Sequence, residues 1–336
     1  MSRDRILLGH GGGGLLTREL IEEVFVPAFD NPRLRALDDS AVVELAGHRL
    51  AFTTDSFVGT PPFFPGGDIG RLAVCGTVND LAMQGAQPLW LSVGLILEEG
   101  FLLADLRRII ASMKQAAAEA GVEIVTGDTK VVERGHGDGL FINTSGVGRI
   151  VTDRWLRGAA VCPGDAVLVN GGLGEHGVAV LSRREGIAFS TSVTSDCAPL
   201  WPLVNELLAS GAEIHALRDP TRGGLACAVC EVAESAGLGI HLLEKELPIA
   251  PGVQGACDLL GLDPLSIANE GKVLVFCRAA DAAKLLAIMR GHPLGRAARI
   301  IGETKDKPKG LALLHTTIGG ERIIDRPTGE DVPRIC

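Results

Sequence analysis

No run in these 336 residues approaches the ~20 consecutive apolar residues that a membrane-spanning helix needs, and Met1 to Gly9 lacks the long apolar centre of a secretory signal. A cytoplasmic protein with no membrane role is therefore expected. Basic charge is also short: 41 acidic residues against 32 basic give a net charge of -9, without the cationic footprint that nucleic acid requires. A phosphate-bearing ligand would have to be met by a bridging metal or by local cations. Heptads, low-complexity tracts and repeats are missing. So is metal-type cysteine spacing: the close pair among eight cysteines, Cys227 and Cys230, sits in an alanine-rich helical stretch with no second pair and no matching histidines, so reduced thiols are expected. Scattered soft ligands of this kind count against a metal carrier or scaffold. The last residue, Cys336, is not fourth from the end, which excludes a prenylation signal.

What is present reads as an ordinary globular chain, 46% hydrophobic and 22% charged, with a length suited to about two domains. Apolar periodicity alternates strands and helices, an α/β class chain of α+β type. Helices are expected over 69–84 and 102–120, the second closed by Gly121, with strands over 90–97 and 139–150. A junction of small and polar residues then suggests domains of 1–150 and 151–315. The second repeats the alternation with strands at 165–170, 272–277 and 299–302 and helices at 178–184 and 225–236. Residues 316–336, polar and interrupted by Gly and Pro, read as a poorly anchored tail that carries the Cys336 thiol. Near the start, Gly9 and Gly11 to Gly14 fit neither the Walker A nor the dinucleotide fingerprint; they form either an anion-closing loop or a plain linker.

The informative pattern is a set of apolar runs ending in carboxylates beside Ser, Thr or Gly. Asp38 and Asp39, then Asp55, then Asp128, then Asp219 end four such runs. Each alone is an ordinary turn or cap residue. Ligands of α/β proteins, however, collect beyond strand ends, and several aspartates meeting there would repel one another unless Mg²⁺ joined them. Helical spacing adds Asp80, on a face of small residues that includes Gly76. Lys130 is the cation nearest the Asp128 turn, and Glu270 lies between Asn269 and Gly271. His176 and His215 are ambiguous.

Asp38 to Val42, Thr53–Thr54–Asp55, the 77–82 run around Asn79 and Asp80, Thr126 to Val131, the Asp219 to Leu225 run and Asn269–Glu270–Gly271 together resemble the ATP-binding superfamily of aminoimidazole ribonucleotide synthetase, selenophosphate synthetase and thiamine-monophosphate kinase. Pro333–Arg334–Ile335–Cys336 narrows the likeness to its hydrogenase-maturation branch. That resemblance implies a two-domain aminoimidazole ribonucleotide synthetase-like fold: an N-terminal sheet or half-barrel that forms a homodimer, a C-terminal α/β sandwich, and a flexible tail. It implies ATP held by the N-terminal domain near the cleft, a carbamoyl group placed on Cys336 by the transferase HypF, and its ATP-driven dehydration to an S-cyanide delivered to the HypC–HypD iron-assembly complex for a [NiFe]-hydrogenase.

The chemistry of that reaction asks for a carboxylate-held Mg²⁺, a cation on the transferring phosphoryl group and a base near the amide. Asp38 or Asp39, Asp55, Asp80 and Asp219 are the candidates for the metal and phosphate shell, with Asp128 and Arg222 in support. Asp39, Asp55, Asp80 and Asp219 are the candidate Mg²⁺ ligands. Lys130 and Glu270 are candidates for phosphate activation and proton abstraction, in either order, and Cys336 is the carrier. The alternative is a small-molecule kinase or synthetase of the same superfamily, selenophosphate synthetase-like, for which Cys336 would be irrelevant. Against that, His10 and glycines stand where selenophosphate synthetase has its reactive N-terminal residues.

Overall fold

The computed structural model describes residues 5–184 and 193–327. After a short turn over the glycines, α1 (Leu15–Leu20) leads into a π-helical turn (Ile21–Phe25) and α2 (Val26–Phe29). Pro27, which has no N–H to donate, sits just beyond the widened turn, where a regular helix would need that hydrogen bond.

The first sheet contains β1 (Ala41–Leu45) and β2 (His48–Phe57). A small hairpin, β3 (Phe63–Phe64) and β4 (Gly67–Asp68), leads to the central helix α3 (Ile69–Met83). Then follow β5 (Ala86–Glu98), α4 (Leu103–Ala120), β6 (Glu123–Val132) and β7 (Leu140–Ile150). The strand order is β1-β2-β7-β5-β6, antiparallel except for the parallel pair β5 and β6. Asp68 caps α3 by accepting from the N–H groups of Gly70 and Arg71, and Gly121 closes α4 with φ +68°, as the 102–120 expectation requires. Gly70 lets α3 and α4 approach, since a Cβ there would lie 2.6 Å from the Ile109 carbonyl oxygen; Gly76 does the same against the Phe57 ring at 2.9 Å.

Almost every residue of α3 is buried because the helix lies between the first sheet and the second half of the chain. Ala82 and Met83 join a core cluster with Leu203, Leu207 and Leu285, while Val180, Cys197 and Ala268 join the cluster around Leu72 and Val78. The two halves therefore share apolar cores, each fully buried Leu or Val contributing about 1.5–3 kcal/mol.

The second half runs β8 (Asp165–Val169), α5 (Glu175–Arg184), α6 (Trp201–Ala209), β9 (Ile214–Arg218), α7 (Gly224–Ala236) and β10 (Gly239–Leu243). It continues through α8 (Pro251–Leu260), β11 (Leu274–Arg278), α9 (Ala279–Gly291), β12 (Arg299–Lys305), β13 (Leu311–His315) and β14 (Glu321–Ile324). The sheet order is β14-β13-β10-β12-β8-β11-β9. Strand alternation sends Val167, Val169, Leu274 and Phe276 towards α7, and Ala166, Leu168, Val275 and Cys277 towards α6 and α9, so helices cover both faces.

Three local readings change. Asp38 and Asp39 precede β1 instead of ending a strand, because residues 34–36 form a 3₁₀ turn. Helix α5 starts at Glu175, three residues earlier than the apolar pattern suggests. The segment read as a tail is more regular in its described part: residues 321–324 form the edge strand β14 against β13, with Ile324 buried beneath it. No helix among the described residues is long and apolar enough to cross a membrane.

Candidate active site

Four carboxylates meet where the halves join. Asp39 stands just before β1, Asp55 is on the inward face of β2, Asp80 is on α3, and Asp219 follows the last residue of β9. Oxygens of Asp39, Asp80 and Asp219 lie within 4.8 Å of one another. The Thr53 hydroxyl ties two of these segments, 2.9 Å from Asp80 Oδ2 and 3.0 Å from the Asp39 carbonyl oxygen. Arg218 forms an ion pair with Asp39 and another with Glu231, and Arg222 lies 3.6 Å from Asp55.

The electrostatics are those of a crowded anionic site. Burial, then the charges of Asp219 and Asp55, pushes Asp80 well above the usual carboxylate range. Burial also raises Asp219, against the lowering effect of Arg218, and raises Asp55, against that of Arg222. Glu270, 3% exposed, is raised far up by burial and then by Asp219, Asp196 and Asp55.

Two asparagines hold the parts together. Asn79, one residue before Asp80, donates from Nδ2 to the carbonyl oxygens of Ala198 (3.1 Å) and Glu270 (3.2 Å), while its Oδ1 accepts from the Leu200 N–H at 2.8 Å. Asn269 accepts from the Gly174 N–H at 2.7 Å and donates to the Pro220 carbonyl oxygen at 3.0 Å. The Asp80, Asp219 and Glu270 backbones are thus cross-braced. Gly224, at φ +60°, permits the bend into α7: a Cβ there would lie 2.5 Å from the carbonyl oxygens of both Leu265 and Ile267.

The glycine stretch lies at this junction. A Cβ on Gly13 would stand 2.5 Å from Arg222 Cβ, and the Gly13 carbonyl oxygen accepts from the Cys227 thiol at 3.6 Å. Its backbone thus passes over the start of α7 beside Arg222, where an anion-closing loop would be needed. The last described residue, Pro327, also lies here. The Leu15 N–H donates to the Pro327 carbonyl oxygen at 3.2 Å, and Pro327 packs 3.6 Å from where a Gly223 Cβ would be.

Asp38, Asp128 and Lys130 are not brought to the cluster. Asp38 lies outside the set of meeting oxygens, and burial raises it against the pull of Arg218 and Arg157. Asp128 and Lys130 pair with each other at 2.9 Å on β6, with side chains 71% and 70% exposed. The register Asp55↔Thr144, Thr144↔Val93 and Gly94↔Asp128 puts them three strands away from Asp55 on the opposite face of the sheet. Cys336 lies outside the described residues. Cys227 and Cys230 are buried on α7, where burial pushes their thiols up to about 12 and about 11, so neither is an activated thiol. Asp165 Oδ2 accepts from His215 Nδ1 at 2.6 Å and from the Cys162 N–H at 2.8 Å, a staple at the start of β8 that satisfies its own polar atoms.

Arg218, Asp196 and Lys272 escape the sequence reading although they touch the site. Arg218 carried a signal, a cation directly before Asp219 at a strand end. Asp196 and Lys272 meet only through folding, at 2.8 Å.

The donor set suits a hard divalent cation. It is all oxygen, it is held by buried elements, and Asp219 Oδ2 is buried yet receives no hydrogen bond from the described residues. Arg218 partly neutralises Asp39 and acts on Asp219, and Arg222 faces Asp55, which leaves Asp80 with the largest uncompensated charge.

Models of the AIR synthase related protein family match this chain over residues 37–150 for the N-terminal domain and 162–313 for the C-terminal domain. Carbamoyl dehydratase HypE of Cupriavidus necator is 54% identical over 333 residues, covering 99% of this chain and 95% of that protein. A crystal structure of a HypE–HypF complex superposes with a TM-score of 0.87 at 50% identity, covering 92% of this chain and 99% of the other. A structure of the hydrogenase maturation protein HypE in complex with ATP gives 0.84 at 46% identity over 99% and 100%. With relatives this similar over nearly their whole length, the chain belongs to the HypE carbamoyl dehydratases of the AIR synthase related family.

Proposed function

We propose that this chain is an enzyme that uses ATP to dehydrate a carbamoyl group carried on its own Cys336, giving an S-cyanide for the iron centre of a [NiFe]-hydrogenase. One observation carries the reading: the carboxylate cluster, Arg222 and the exit of the chain at Pro327 share one junction. Nine residues follow Pro327 in the sequence, a length that spans up to about 30 Å when extended, enough to return the thiol to the cluster. HypE relatives bear the dehydratase name, and one is known in complex with ATP.

The carbamoyl oxygen cannot leave as hydroxide. In the proposed reaction it attacks the γ-phosphorus, ADP departs, and one N–H proton is lost to give an S-linked phosphoimidate. Loss of the second N–H proton expels phosphate with the former carbamoyl oxygen and leaves S–C≡N. Glu270 and Lys130 supply the base and the phosphoryl-binding cation between them. Arg222 and the glycine backbone would bind phosphate. When bound, Mg²⁺ would offset the charge of the β- and γ-phosphates, held by Asp55, Asp80 and Asp219 together with Asp39.

Lys130 faces away from the cluster of its own chain, so its role requires a second copy. The outer face of the first sheet exposes Phe52, Trp90 and Ile96, and edge strand β6 is exposed along nearly its whole length. We place a homodimer on that surface, in which Asp128 and Lys130 of one protomer approach the carboxylates of the other. HypF would load Cys336, as a HypE–HypF complex suggests, and the HypC–HypD complex would receive the cyanide, all in the cytoplasm. In this reading residues 1–150 bind ATP and dimerise, 151–315 close the site, and 316–336 deliver the thiol.

The test is to incubate the protein with ATP, HypF and carbamoyl phosphate and weigh the C-terminal peptide. The expected adduct first gains a carbamoyl group and then loses one water. Cys336→Ala is expected to bind ATP and form no adduct; a normal adduct on that variant, or undiminished turnover after deletion of the last four residues, would refute the reading and return the small-molecule kinase alternative.

A further inference from the structure

Behind Glu270 lies a buried charge system outside the reaction described above. Asp196 Oδ1 accepts the Glu270 N–H at 3.2 Å; its Oδ2 accepts the Gly271 N–H at 3.0 Å and the Lys272 ammonium at 2.8 Å. Lys272 also lies 3.2 Å from Glu175. The side chains of Asp196 and Lys272 are 2% and 7% exposed. The two backbones meet so closely that a Cβ on Gly271 would stand 1.9 Å from the Asp196 carbonyl oxygen. From the other side, Asn79 holds the Glu270 carbonyl oxygen. Segment 195–200 is itself anchored to the first half: the Ser195 N–H donates to the Pro65 carbonyl oxygen at 2.8 Å and the Leu200 N–H to Asn79.

A surface ion pair would be worth little, but a buried carboxylate spanning two consecutive N–H groups fixes a peptide plane. We propose that Asp196, with Lys272 as its counter-charge, is the positioning residue for Glu270, clamping the Glu270–Gly271 backbone so that the Glu270 carboxyl is aimed at the aspartate cluster. Burial pushes Asp196 up, but Lys272 and His176 outweigh it and hold its carboxyl below the usual range, so it stays an acceptor. Lys272 cannot do this work, having no acceptor; its part is to make the buried anion tolerable. The inference rests on Glu270 acting in the proposed dehydration.

The experiment measures the rate constant for water loss from the carbamoylated protein at saturating ATP, and the ATP concentration for half that rate. Asp196→Asn offers one acceptor oxygen where the carboxylate has two. It is expected to slow the step about 10²-fold, the scale of a misplaced reacting group, with half-saturating ATP within about twofold of wild type. The charge-neutral pair Asp196→Asn with Lys272→Met, which leaves no buried charge alone, is expected to show the same fall with retained thermal stability. In the double variant with Glu270→Gln, Asp196→Asn is expected to add no further loss. Full additivity, or a wild-type rate in Asp196→Asn, overturns the positioning role while leaving the dehydration intact. A wild-type rate in Glu270→Gln overturns it at its root, and that outcome is distinguishable because it removes Glu270 itself.

Discussion

Asp80 and Asp219, one from a helix of the first half and one from a strand end of the second, bring carboxylate oxygens within 4.8 Å of each other, and Asp219 Oδ2 has no hydrogen-bond donor among the described residues. Two buried like charges at this separation are tolerated only if a proton or a cation intervenes. The site is therefore built at the expense of stability in the free protein.

Asp80→Asn is expected to weaken Mg²⁺-ATP binding by at least tenfold, measured by calorimetry. Unchanged affinity would remove Asp80 from the site.

The same variant gives a pH test. The folded pKa of Asp80 lies above its unfolded value, so the favourable contribution is complete below the unfolded pKa, near 3.8, and is lost as pH rises through the raised folded value. Without metal, Asp80→Asn should therefore gain melting temperature relative to wild type at pH 8 and gain little at pH 4. Saturating Mg²⁺ should erase the pH 8 advantage. A gain that grows towards acid would contradict the assignment.

Lys130→Ala is expected to abolish dehydration while leaving the fold intact, since the side chain is 70% exposed. Random mixing with Asp80→Asn, itself inactive, should restore about a quarter of wild-type activity, because half of the dimers would carry one intact composite site. No recovery on mixing would refute a site shared between protomers.

Gly224→Ala forces a Cβ into two carbonyl oxygens at φ +60° and should cost at least about 1–3 kcal/mol in urea unfolding, with a parallel loss of nucleotide affinity as the Asp219 and Glu270 loops part. Asp68→Ala removes only the cap of α3 and should cost about 1 kcal/mol without affecting nucleotide binding. Comparing the two separates strain at the junction from general destabilisation.

Much of the fold was legible because local signals were strong. The apolar face of 69–84, the glycine that closes α4 and the alternation in 139–150 need no distant partner to be read. Asp39, Asp55 and Asp219 stood out as carboxylates beside small residues at the ends of apolar runs, and Asp80 as a carboxylate on a small-residue helix face, whereas Glu270, an ordinary turn residue between Asn269 and Gly271, was singled out only by the family resemblance. Lys130 was found for its nearness to Asp128 in sequence, yet strand alternation turns both away from the cluster. Arg218 was passed over because a basic residue within a strand looks like an ordinary solvated side chain, although here it is turned onto Asp39.

The order of residues alone determined the helices over 69–84 and 102–120 and the strand over 139–150, the positions of the acidic groups along the chain, and that a thiol stands at position 336, since these depend on periodicity and chain position. Only tertiary structure decided that Asp80 and Asp219 face each other, that Asp196 reaches the Glu270 backbone, and that Lys130 points outward. Each of those depends on sheet register and on two halves sharing apolar cores, and a separation such as the 191 residues between Asn79 and Glu270 carries no trace of a few ångströms in space.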